Sequence, residues 1–109
     1  MFSFIPKYKT LTEVLLDQKL AKLGDAYVNF LYSLVLSKTD AFKKAGLRKF
    51  LPSRINRHKQ ADAAEALIVY AWIKEQMNME EGIEILEKNE DNIEAFSLLL
   101  LEAKTKSQL

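Results

Sequence analysis

Gln60-Ala-Asp-Ala-Ala-Glu-Ala-Leu-Ile-Val-Tyr-Ala-Trp-Ile73 is the most apolar stretch of the chain, and two acids stand at its head. Asp62 and Glu65 are three residues apart, a spacing that puts both carboxylates on one face of a helix. Seven apolar residues, Leu67 to Ile73, follow directly, which predicts burial on most sides and a central place in the fold. Unpaired charge in such a segment costs several kcal/mol. A divalent metal, an arginine partner or a solvent cleft would each offset that cost. A third acid, Asp25, lies in Leu20-Ala-Lys-Leu-Gly-Asp-Ala-Tyr27, again among small residues in a helical pattern.

Outward from this helix, almost everything reads as helix. Thr10-Leu-Thr-Glu13 is a capping box. Leu16, Leu20, Leu23, Tyr27, Leu31 and Val35 then recur near the helical period, so one long helix should run to about Leu36, with Gly24 the place for any break. Ser37 to Asp40 reads as a turn, followed by a short helix from Asp40 to Ala45 that Gly46 can end. Leu51-Pro52-Ser53 marks an irregular connection between Leu47 and His58. The apolar helix should cover Lys59 to about Gln76. Asn78-Met-Glu-Glu81 opens a helix through Lys88, and Asp91-Asn-Ile-Glu94 opens a last one to about Lys104. No strand pattern or internal repeat is present. The fold class is therefore all-α, with one domain spanning residues 1–109.

Composition excludes several function classes. The chain has no cysteine, so neither a disulfide framework nor a thiolate metal site is available. A single histidine, His58, excludes a zinc site built on several histidines of one chain. The N-terminus lacks a secretory pattern, and the longest apolar runs fall short of a membrane span. A soluble, cytoplasmic protein is expected. The net charge of +1 hides two blocks. Ala41 to Lys59 holds seven basic residues and no acid, whereas the chain from Gln60 onward holds eleven acids against Lys74, Lys88, Lys104 and Lys106. Charge blocks are commonly solvated faces, but a basic block beside clustered carboxylates also suits a polyanion held against metal ions.

Small residues flank each of the three acids: Ala21, Gly24 and Ala26 in one segment, and Ala61, Ala63, Ala64 and Ala66 in the other. Small side chains let helix backbones approach closely, and packing through these faces would gather Asp25, Asp62 and Glu65 into one pocket. Such a pocket needs a hard cation or shared protons, and an oxygen-only set favours magnesium or manganese. The bland alternative has Asp62 capping its helix while Glu65 faces solvent. Tyr70, Trp72 and Phe96 are expected in the core, with Met77 and Met79 filling a helix turn. Ile93, Phe96 and Leu98 to Leu101 give the last helix more apolar surface than one stripe needs. That surplus suits either a subunit interface or a place wedged between neighbouring helices.

Leu23-Gly24-Asp25-Ala26, followed by Ala61-Asp62-Ala63-Ala64-Glu65-Ala66-Leu67-Ile68, resembles the two signature segments of ribonuclease III domains. Order, helical context and local sequence agree from about Leu15 to Lys88. The resemblance implies an all-helical, homodimeric domain that cleaves double-stranded or structured RNA with magnesium, for which manganese substitutes, leaving 5′-phosphate and 3′-hydroxyl ends. It also implies that Asp25, Asp62 and Glu65 are both the catalytic acids and the metal ligands. The pattern is broken at Gln18 and Ala21, where full-length members carry glutamates. The mini-III ribonucleases also lack the nearer glutamate, and like this sequence they carry no double-stranded RNA-binding domain.

RNA contacts would then fall to the basic track of Lys43, Lys44, Arg48, Lys49, Arg54, Arg57, His58 and Lys59. His58 suits a phosphate contact better than a general base. Phosphate contacts carry no base sequence, and A-form RNA is read by shape and 2′-hydroxyls. Three other readings remain open: a degenerate family member that binds RNA without cutting, a different helical metal hydrolase acting on nucleotides, and a helical interaction module.

Overall fold

The computed structural model describes residues 2–39, 59–89 and 91–109. These form α1 (Leu11–Leu15), α2 (Gln18–Thr39), α3 (Lys59–Ile73), α4 (Met79–Lys88) and α5 (Asn92–Ser107), with no strand among the described residues. The all-α class read from the sequence holds. The expected short helix at 40–45 and the connection at 47–58 lie outside the described residues.

Helix α3 is the centre, as its apolar run predicts. Residues Ala64 to Ala71 are buried without interruption, because α2, α5 and α1 all pack against it, α2 most extensively. Tyr70 and Phe96 are buried as expected, and Met77 is buried at the turn after α3. Trp72 is only partly covered; its ring stacks on Tyr27 of α2 with centroids 4.7 Å apart. The N-terminal strap is tied to α3 by polar contacts. The Tyr8 amide donates to the Tyr70 hydroxyl at 2.7 Å, and Lys74 Nζ donates to the Ile5 carbonyl at 2.8 Å.

The expected single N-terminal helix is two helices, and the break is not at Gly24. It falls at Leu16–Asp17, where the Asp17 carboxylate accepts the backbone N–H groups of Lys19 and Leu20 at 2.9 and 3.0 Å and so caps α2. The break turns Leu16, expected on the buried stripe, out to 74 % exposure. Helix α2 also continues through Ser37 to Thr39, where a turn was expected.

Three start signals operate as read. Thr10 and Asn78 form complete capping boxes with Glu13 and Glu81, and Asp91 accepts from the Ile93 amide. Helix α3 ends at Ile73 rather than Gln76. Glu75 adopts φ 61°, the Gln76 amide reaches back to the Ala71 carbonyl, and the Glu75 amide to that of Trp72. That pair of bonds is a Schellman stop, built on glutamate instead of glycine.

The apolar surplus of the last helix divides. Phe96 and Leu99 are buried and Leu100 partly so, whereas Ile93, Leu98 and Leu101 are exposed. No described helix is long and apolar enough to cross a membrane.

Candidate active site

The site is built on the tightest helix contact in the fold. Gly24 of α2 lies against the backbone of Glu65 in α3, and a Cβ at Gly24 would stand 2.2 Å from the Glu65 carbonyl oxygen. Only glycine permits that approach. The neighbouring Ala64 and Ala66 are buried on either side of Glu65.

This contact brings the Asp25 and Glu65 segments together, as the small residues predict. Asp25, next to Gly24, is partly buried, and Asn29 one turn later donates its Nδ2 to Asp25 Oδ1 at 3.3 Å. Glu65 is fully buried, the only described charged residue that is. The reading in which Glu65 faces solvent therefore fails. A carboxylate so deep in an apolar helix needs compensation to stay ionised, and selection for packing alone would favour an aliphatic residue there. Asp62 lies on α3, one turn before Glu65, with its side chain outside the described part of the structure.

The donor chemistry is compatible with magnesium. Among the described residues no group of three or more acids or histidines forms a cation cage. Magnesium, however, is commonly held by one or two carboxylates, with waters and substrate phosphates completing the shell. Asp25 and Glu65 supply two such groups on adjoining helices. Of the basic track, Lys43, Lys44, Arg48, Lys49, Arg54, Arg57 and His58 lie outside the described residues, and Lys59 opens α3 without a described side chain.

The two positions that break the signature are both on α2. Gln18 is its exposed first residue, and Ala21, one turn before Asp25, packs against the core. The phenols nearby are held neutral. Burial pushes Tyr32 up to about 12 and Tyr27 higher still, so neither serves as a base near pH 7.

Sequence reasoning overlooked Asn29, although its spacing of four from Asp25 is the signal for such a bond. It also overlooked an apolar groove of about 310 Å³ between the N-terminal strap, α2 and α3, whose lining includes Phe4, Leu23, Ala26, Tyr27, Phe30 and Trp72. Phe4 and Phe30 are exposed to 78 % and 54 %.

A sequence model of the family described as Ribonuclease III matches residues 18–102, a span that includes both α2 and α3. No curated protein and no solved structure matches the chain.

Proposed function

The chain belongs to the ribonuclease III family, and from that premise we propose that it is an endoribonuclease that cleaves structured or double-stranded RNA in the cytoplasm as a step of RNA processing. The observation that carries the proposal is the buried Glu65 carboxylate at the Gly24 contact, one residue from Asp25. A protein that only binds phosphate gains nothing from acids gathered there.

In this reading Asp25 and Glu65 hold a magnesium ion, for which manganese substitutes, and Asp62 is a third ligand or orients one. When bound, the ion supplies an acidified water and neutralises charge at the scissile phosphate. The chain's own part is positional. The Gly24 contact fixes the separation of the two helices, and hence of the two carboxylates. The apolar wall of α3 behind Glu65 keeps bulk water from that side. In-line attack on phosphorus leaves 5′-phosphate and 3′-hydroxyl ends. The basic residues from Lys43 to Lys59 would track the phosphates of an A-form duplex.

One site cuts one strand, so cleavage of a duplex calls for a homodimer. We place its interface at the groove lined by Leu23, Ala26 and Phe30 of α2, where the projecting Phe4 and the hollow next to it can exchange across a two-fold axis. The exposed Ile93, Leu98 and Leu101 of α5 are the alternative.

A second reading is favoured by one observation. Ala21 fills, with a methyl group packed on the core, the place where full-length members present a glutamate. If that loss is disabling, the protein binds RNA without cutting it. Incubation with end-labelled double-stranded RNA, with and without manganese, beside the isosteric Glu65→Gln variant separates the two. Metal-dependent cleavage lost in the variant is the expected result; binding with no cleavage under any metal would install the second reading instead.

A further inference from the structure

Asn29 has an unusual hydrogen-bonding position. Its side-chain amide donates to Asp25 Oδ1 at 3.3 Å, while its own Oδ1 is shielded from solvent with no hydrogen-bond partner among the described residues. The reverse amide orientation would set oxygen against the Asp25 carboxylate, so the N–H contact decides which way the group faces. The backbone there is also secured, since the Ser33 hydroxyl donates to the Asn29 carbonyl at 3.0 Å.

Asp25 needs such a restraint. It stands at the rim of the Gly24 contact, only partly covered, and an aspartate side chain on a helix rotates between staggered positions when nothing holds it. The bond from Asn29 to Oδ1 restrains rotation of the carboxylate and leaves Oδ2 as the acceptor outside that bond. We propose that Asn29 is a positioning residue, which holds Asp25 so that Oδ2 is the oxygen offered to the divalent cation. The inference rests on reading Asp25 and Glu65 as a cation-holding pair. It goes beyond that pair by assigning the orientation of Asp25 to a neutral neighbour that carries no charge to the site. Groups of this kind tune ligand affinity without touching the ion.

The test is manganese titration of the full-length protein by electron paramagnetic resonance, with thermal melts without metal, for wild type, Asn29→Ala and Asp25→Asn. Asn29→Ala should weaken manganese binding by about tenfold while the metal-free melting temperature stays within about 2 °C, since alanine suits a helix well. In cleavage assays kcat should fall and KM for RNA should not. Unchanged manganese affinity in Asn29→Ala, alongside loss in Asp25→Asn, would overturn the role of Asn29 and leave the acidic pair standing. A loss accompanied by a large drop in melting temperature would also overturn it, because Asn29 would then be structural. If Asp25→Asn itself binds manganese like wild type, the pair and the inference fall together.

Discussion

Gly24 and Glu65 meet with no space for a side chain between them: the missing Cβ would lie 2.2 Å from the Glu65 carbonyl oxygen and 2.9 Å from its Cβ. The obstructing atoms are mostly backbone, so nothing can rotate aside. Gly24→Ala must push α2 off α3 and should cost about 3 kcal/mol in urea unfolding. Gly82→Ala is the control. There the nearest atom is a Leu31 methyl at 3.1 Å, which can give way, and the gain in helix propensity opposes the crowding. Its stability should stay within about 1 kcal/mol of wild type. Equal effects of the two would show that the Gly24 contact is not what sets the helix spacing.

Asp17 joins two tasks, capping α2 and accepting the Tyr8 hydroxyl at 2.5 Å. Partial burial works to raise its pKa, yet the hydrogen bonds from Tyr8 and from the Leu20 and Lys19 amides prevail and hold it below the usual carboxylate value. A lowered folded pKa means stability that is fully present above the unfolded value of about 3.9 and lost as pH falls through the folded one. Asp17→Ala should cost about 1 kcal/mol at neutral pH through the lost cap. Asp17→Asn keeps a capping oxygen and should lose less stability than wild type between neutral pH and about pH 3. Parallel acid titrations of the two proteins would refute the assignment.

Glu75 holds a left-handed backbone at φ 61° with no compensating glycine. Glu75→Gly should raise stability by about 0.5–1 kcal/mol, as relief of the left-handed strain outweighs the added chain entropy. A lower melting temperature in calorimetry would mean that the Glu75 side chain makes a contribution its backbone does not reveal.

The proposed dimer can be tested by adding charge to either apolar surface. Phe30→Glu should sediment as a monomer, whereas Leu98→Glu should leave the assembly intact. The opposite pattern would move the interface to α5.

Without base-specific readout, RNA affinity should follow salt. About six phosphate contacts predict a loss of about a thousandfold between about 50 and 200 mM salt. A flat response in a filter-binding assay would remove the basic track from the interface.

Much of this architecture was legible in the sequence because it is written in local chemistry. Thr10, Asn78 and Asp91 cap helices through bonds that span two or three residues. The apolar run from Leu67 to Ile73 could only be central, and the alanines around Glu65 together with Gly24 foretold a close helix crossing. What escaped notice depends on distant partners or on backbone angle. Asp17 sits in a pattern that reads as continuous helix, and Tyr8, nine residues before it, helps to fix it as a cap. Glu75 ends α3 without the glycine by which such stops are recognised, so the helix was expected to run further. Leu16 fits the apolar period, yet the break it precedes rotates it into solvent. At the site, the meeting of the Asp25 and Glu65 segments followed from residue size, whereas the hold of Asn29 on Asp25 needed side-chain geometry.

The interruption at Leu16–Asp17 has a bearing on how this protein tolerates change in length. In one continuous helix, each residue inserted upstream would turn every later side chain by about 100°, and Asp25 would swing away from α3. Because α2 starts afresh at its own cap, the angular setting of Asp25 is counted from Asp17 alone. Extensions or fused tags ahead of Phe4, upstream of the strap that Ile5 and Tyr8 anchor, are thereby uncoupled from the orientation of the carboxylate, and that end can be lengthened without re-aiming the site.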